Sequence, residues 1–391
     1  MRRPFPACDP VSRREFLRTS LLAGGALALG AGGLQAAPLP GKRHMLVRSL
    51  RFLDLEMPMD RLGAWITPVE LFFVRNHMAE PYGLDPDEWR LRVAGEVERP
   101  LVLTYADLAK LEPATVVNTL ECAGNGRGFF RPQVPGVQWE RGAVGNARWS
   151  GVRLRDVLTH AGLKRNARHV AFRGMDEPPG KVPAFVRSIP IEKAMHADTL
   201  LATRMNGTPL TKHHGAPLRA VVPGWVAAAS VKWLAEIQVL DREFEGNFMN
   251  PGYRIPRRPV QPGQAVNHND TDPVTALSVK SIIAQPAEGA ILPLAPVRIH
   301  GAAWAGEHDV TRVEVSIDGG RTWQPAQLGR QQARYAWRLW EFAWQPKSRG
   351  EYALRSRATD SAGRTQPLAP TWNPGGYLWN VADEVKVRVE G

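Results

Sequence analysis

The stretch Thr115-Val-Val-Asn-Thr-Leu-Glu-Cys-Ala-Gly-Asn-Gly-Arg-Gly128 runs a short apolar, β-branched segment into a glycine-rich loop that carries one thiol, Cys122. The only other cysteine, Cys8, lies in a segment that reads as a removable leader, so the mature chain is expected to carry Cys122 alone and no internal disulfide. An unpaired cysteine on its own reads as a small buried hydrophobe. Its neighbours add a second reading. Gly124, Gly126 and Gly128 permit positive φ and close backbone approach to a ligand, and Arg127 supplies a cation that favours thiolate over thiol. Those are the requirements of a nucleophile or a metal-bound sulfur. The Gly-x-Gly spacing is not a dinucleotide fingerprint, because no amphipathic helix opens after it and Phe129, Phe130 and Pro132 intervene.

Outward from this loop, 391 residues with 43% hydrophobic content are enough for two or three domains with proper cores and exclude general disorder. The formal charge of +12 is spread rather than blocked, which favours a small anionic ligand and an acidic protein partner over nucleic acid. Ser12-Arg-Arg-Glu-Phe-Leu-Arg18 sets a twin arginine before an apolar run from Leu21 to Leu34, with small residues at Ala36 and Ala37. That is the pattern of a twin-arginine export signal over residues 1–37, and the bland alternative is an uncleaved anchor. No other apolar run approaches membrane length, so the mature protein is expected to be periplasmic without a membrane span.

Phe72-Phe-Val-Arg-Asn-His77 carries an apolar run into a polar cluster, which places Arg75, Asn76 and His77 at a strand end. Alternation predicts a strand within Trp89–Val97, and Thr104-Tyr-Ala-Asp107 predicts a capped start to a short helix ending near Leu111. A second helix is predicted after Ser150, with Val152, Leu154, Val157, Leu158 and Ala161 on one face and Gly162 as its stop. Further strands are expected at 115–120, 169–172, 218–222 and 231–240. Residues 257–273 read as a linker rich in Pro, Gly, Asn and Asp. Beyond it, Val297–His300, Val313–Asp318 and Tyr352–Thr359 alternate with period two and are separated by turn signals, which indicates an immunoglobulin-like β-sandwich lacking the usual cysteine pair. The fold class expected is mixed α+β over 45–262, followed by a separable sandwich over 275–391.

Cys-Ala-Gly-Asn followed by Arg resembles the molybdenum-binding loop of the sulfite oxidase family, whose cysteine sulfur ligates molybdenum beside the dithiolene of molybdopterin. The resemblance extends, in the same order, to Phe72–His77, to Asp176 in Phe-Arg-Gly-Met-Asp, to His214 and Arg219 in His-His-Gly-Ala-Pro-Leu-Arg, and to Ser230-Val-Lys232. It implies that Phe73, Val74, Arg75, Asn76, His77, Asp176, His214, Arg219, Ser230, Val231 and Lys232 bind the molybdenum cofactor. It implies catalytic roles for Arg75, Cys122, Arg127 and Trp139, with Cys122 as the metal ligand. His213 and His214 also suggest zinc, but no second His/Cys cluster completes such a site. Asp318-Gly-Gly-Arg-Thr-Trp323, Trp337-Arg-Leu-Trp340 and Trp372-Asn-Pro resemble the family's C-terminal dimerisation domain.

The family reaction is a two-electron oxygen-atom transfer to sulfite, and guanidinium groups suit a dianion in a partly desolvated pocket. No Cys-x-x-Cys-His haem site occurs in this chain, so a separate c-type cytochrome is the expected electron acceptor, with a homodimer or a heteromer containing that cytochrome as the assembly. Two positions depart from the family pattern. Thr203 stands where a catalytic tyrosine is expected, and Gly375 where many members carry a substrate-binding arginine. The expected consequence is a wider, less positive pocket. A periplasmic sulfite dehydrogenase, a relative acting on protein-bound sulfane or sulfoxide, and a non-catalytic binding or assembly protein are the three readings that follow.

Overall fold

Pro113–Glu121 alternates exposed and half-buried residues over its first half and is buried on both faces from Asn118 onward. A strand that becomes two-sided in this way has a second layer packed across its inner end. The computed structural model describes residues 39–391, so the export signal expected over 1–37 and Cys8 lie outside the described residues. In it Pro113–Glu121 is the edge of an antiparallel five-stranded sheet, joined through Val144–Arg153 to Leu200–Met205, which pairs with both Thr208–Pro209 and Arg219–Val221. A second, mixed five-stranded sheet runs in the order Leu101–Leu103, Leu91–Gly95, Leu234–Leu240, His169–Gly174, Val186–Pro190, and only the pair of Leu91–Gly95 with Leu234–Leu240 is parallel.

Helix is scarce. Tyr105–Leu108 starts from the predicted capping box, with Thr104 and Asp107 bonding each other's backbone N–H. Leu154–Ala161 ends at Gly162 as expected, but starts later than predicted because Val144–Arg153 stays extended through Val152. The run before Arg75 is not a strand end either, since only Val74 bridges Leu55. The strand expected from Val231 begins at Leu234, after Trp233 with φ +49°. The stretch read as a linker ends in a strand, Thr271–Pro273, which pairs with Arg254–Pro256 just before the stretch begins.

The C-terminal part is the predicted sandwich. Lys280–Gln285, Val297–Trp304, Arg338–Trp344 and Gln327–Leu328 form one sheet, and Asp383–Glu390, Gly350–Asp360 and Val310–Ser316 are the long strands of the other. Val313, Trp340, Leu354 and Val385 fill the space between them. It is not separable as expected. Ile282, Ala284, Ala302, Trp304 and Trp337 belong to the same apolar core as Leu120, Trp149 and Leu201 of the first part. The seam is also bonded: Trp337 N–H donates to Thr119 Oγ1 at 2.8 Å, its indole N–H to Trp65 O at 2.8 Å, and Arg141 pairs with Asp383 at 2.7 Å. This covering layer accounts for the burial of Asn118, Thr119 and Glu121, and the side chains of Thr119 and Glu121 find partners across the seam.

Candidate active site

Cys122 follows directly on the last residue of Pro113–Glu121, and the loop after it is held from three sides. Its N–H donates to Ala143 O at 2.9 Å, and its carbonyl accepts from Asn125 N–H at 2.9 Å, closing a turn. Asn125 Nδ2 donates to Glu121 Oε1 at 2.9 Å and its Oδ1 accepts from Ala143 N–H at 3.1 Å, so one amide ties the loop to both strands beneath it. Glu121 in turn receives Lys280 Nζ and Trp304 Nε1 of the sandwich, each at 2.8 Å. Gly126 has φ +94°, and a Cβ there would lie 2.6 Å from Trp379; a Cβ at Gly124 would lie 2.5 Å from the Arg127 guanidinium. The glycines are demanded by backbone geometry and by this close packing.

Cys122 is buried on the floor of a groove with about 670 Å³ of free space counted out to its mouth. Of the residues expected to bind cofactor, Phe73, Arg75, Asn76, His77, Asp176, His214, Arg219, Ser230, Val231 and Lys232 line it. Val74 does not; it is buried behind Phe73, in its bridge to Leu55. Arg75 donates to Asp54 at 3.2 Å and to its neighbour's carbonyl, Asn76 O, and it also borders an outer cleft that holds Arg48 and Arg51.

Three expectations need correction. Thr203 lies half-buried on Leu200–Met205 and does not line the groove. The phenol comes instead from Tyr253, just ahead of the stretch read as a linker, whose hydroxyl meets His77 Nε2 at 2.7 Å and whose ring stacks on Tyr377 at 5.3 Å. Gly375 does not leave a void, because a Cβ there would lie 2.3 Å from the Tyr377 ring. Arg127 and Trp139 stand behind the groove rather than on it. The Arg127 guanidinium donates to Gly375 O at 3.0 Å and to Val137 O at 3.2 Å, and the fully buried Trp139 has an indole N–H without a partner among the described residues. Arg127 was also expected to favour thiolate. Burial outweighs Arg75 and Arg127, and the Cys122 thiol is pushed up from its ordinary value.

Tyr253 and Phe185 are groove residues that the sequence did not reveal, and His213, read from the sequence only as a zinc candidate, lines the groove as well. Phe185 stacks on the His77 ring at 4.0 Å, and His213 Nδ1 meets Glu80 at 2.9 Å. His77 is held well below the usual imidazole range by burial, then by Arg75 and Arg187, so the Tyr253 hydroxyl faces a neutral ring. Among the described residues no group of three His, Cys, Asp or Glu could hold a metal, so the zinc alternative for His213 and His214 has no site.

On the far wall Glu80 and Asp176 lie near Lys232, but no carboxylate is bonded to Lys232 or Arg219. Burial lowers Lys232 to about 7 and Arg219 to about 9. Arg219 donates to the carbonyls of His214 and Ser230, while its buried Nε has no partner among the described residues. Buried cations with donor capacity to spare are what a phosphate-bearing cofactor satisfies, and a lone soft sulfur ligand on the floor suits molybdenum already held by a dithiolene. The residues therefore fit molybdopterin: Cys122 would ligate the metal, and Arg219, Lys232, His214 and Ser230 would hold the pterin and its phosphate.

Residues 77–248 match the oxidoreductase molybdopterin binding domain, and 271–390 the Mo-co oxidoreductase dimerisation domain. Sulfite oxidase of Gallus gallus is 40% identical over 87% of this chain and 76% of its own length. Mitochondrial sulfite oxidase of Homo sapiens is 39% identical over 89% of this chain, which spans 66% of that longer protein. The crystal structure of the sulfane dehydrogenase SoxCD from Paracoccus pantotrophus superposes with a TM-score of 0.75 at 28% identity, covering 92% of this chain and 93% of that one. With a cysteine-floored, cation-walled groove and relatives alike over most of its length, the chain belongs to the sulfite oxidase family of molybdopterin oxidoreductases.

Proposed function

We propose that this protein is an exported, periplasmic enzyme that oxidises a reduced sulfur substrate by oxygen-atom transfer and passes the electrons to a c-type cytochrome. The observation that carries the proposal is Cys122, buried at the floor of a groove whose far wall is cationic and whose near edge is Arg75. The molybdenum cofactor supplies the two-electron redox chemistry when bound. The chain's own part is to bind and orient. Arg75, fixed by Asp54, offers a permanent cation to an anionic substrate at the point where groove and outer cleft meet. Tyr253 and His77 put a hydroxyl and a neutral imidazole in contact beside it, a pair able to hold or relay a proton. Arg127, tied to Gly375 and Val137, keeps the loop after Cys122 in place from behind.

Sulfite is the substrate suggested by the sulfite oxidases. A protein-bound sulfane is the second reading, favoured by the likeness of this chain over 92% of its length to the sulfane dehydrogenase SoxCD. Export by the twin-arginine route rests on Arg13 and Arg14, and a dimer or cytochrome-containing heteromer rests on the dimerisation-domain match. Molybdenum analysis of the purified protein, followed by turnover with sulfite against sulfane-carrying protein thiols with cytochrome c as acceptor, tests the proposal. A metal-free protein, or turnover of neither, rejects it.

A further inference from the structure

Lys42 lies outside the stretch that matches the molybdopterin binding domain, yet it is buried against the groove wall. Its Nζ is 2.6 Å from Val69 O, 2.7 Å from Phe72 O and 2.9 Å from His214 Nε2. An ammonium has three N–H bonds and no lone pair, and here three acceptors stand within hydrogen-bond reach. Two of them are carbonyls. The third, His214 Nε2, must present its lone pair, which places the imidazole proton on Nδ1.

We propose that Lys42 is a positioning residue for the cofactor: by donating to Nε2 it holds His214 in the Nδ1–H tautomer and leaves that N–H as the donor available in the groove. This rests on the molybdopterin reading for its ligand, an acceptor group of the pterin or its phosphate. Without Lys42, the nearest acceptor for Nε2 is Val69 O at 3.3 Å, and a ring that donates there carries its proton on the opposite nitrogen. His214 rests edge-on against Phe72 at 5.4 Å, so the ring has one packed orientation and the tautomer decides which nitrogen donates. Burial keeps His214 far below the usual imidazole range, so the ring is neutral, and burial brings Lys42 down to about 7.

The test is ¹⁵N NMR of histidine-labelled protein at pH 6, where the ammonium is present, on both the cofactor-free form and the protein as purified. The His214 signals are identified by their loss in His214→Asn. Wild type is expected to show a protonated Nδ1 and a bare Nε2, Lys42→Met to shift the proton towards Nε2, and Lys42→Gln, which keeps an amide donor, to retain the wild-type tautomer. A wild-type Nε2–H tautomer, which needs no variant to fold, or a tautomer unchanged in Lys42→Met, overturns the proposal. Pterin retained after prolonged dialysis supplies the second readout. Lys42→Met should lose pterin about tenfold faster, the worth of one hydrogen bond, and should add nothing in the His214→Asn background. An equal further loss in that background overturns action through His214. Wild type purified without any pterin rejects the cofactor reading, while the tautomer still decides whether Lys42 governs His214.

Discussion

The floor and the far wall of the groove are built on opposite electrostatic plans. Beneath Cys122 the buried carboxylate is answered: Glu121 has Lys280, Asn125 and Trp304, and the loop is pinned between the first sheet and the sandwich. Along the wall, Arg219 and Lys232 are buried with carbonyl and amide partners and no carboxylate bonded to either. A satisfied network is rigid, and an under-neutralised one is a binding surface that reaches its stable state only with an anion in place. The metal ligand is therefore presented by a finished structure, and the cofactor completes the other side.

The largest expected effect breaks the floor. Cys122→Ser replaces a soft thiolate by a hydroxyl, and should leave a folded protein, by circular dichroism, with only background turnover. Lys280→Met should come next, stranding Glu121 in the seam at a cost of about 3–5 kcal/mol in chemical denaturation. Adding Glu121→Gln should restore most of that loss, and a single variant as stable as wild type would show that the seam does not hold the loop.

The wall is probed through protons. Lys232 and Arg219 are depressed in the folded protein, so between about 7 and the ordinary lysine value of 10.5 the unfolded chain holds more protons. Stability of the cofactor-free form should accordingly rise as pH increases through that window, with the cost fully present below about 7. An anionic cofactor favours the charged forms, so binding should take up protons at pH 8 and weaken as pH rises further. Calorimetry in buffers of different ionisation heat measures this, and proton release on binding would contradict the plan described for the wall.

Smaller effects sharpen the boundary between them. Tyr253→Phe should cost about 0.5–1.5 kcal/mol for the lost bond to His77, and lower kcat more than it raises KM. Thr203→Val should change stability by less than about 0.5 kcal/mol and leave KM untouched, since that side chain does not reach the groove. A KM that moved with Thr203 and not with Tyr253 would restore the first assignment of the phenol.

The contrast between Tyr253 and Cys122 explains how much could be read without a structure. The Cys122 loop is local: strand, turn and glycines are contiguous, and the positive φ at Gly126 is a demand of the turn itself. Tyr253 lies just before the stretch that reads as a linker, between Gly252 and Pro256, and no periodicity marks it. It becomes a groove residue only because Arg254–Pro256 pairs with Thr271–Pro273 and its ring is caught between Tyr377 and the Arg187 guanidinium. Arg127 failed differently. Its charge was legible but its direction was not, since its acceptors are carbonyls contributed at 137 and 375.

By itself the sequence determined the thiol, the glycine loop, the Thr104–Asp107 capping box and the alternating strands of the sandwich, because each depends on covalent geometry and on periodicity over a few residues. Only the tertiary structure decided which cations face the groove, which tyrosine enters it, and that Lys42 meets His214 across 172 residues of chain. The reason is physical. The register of distant strands and the packing of the seam set the direction and burial of a side chain, and these convert an arginine or a lysine from a surface charge into a buried donor.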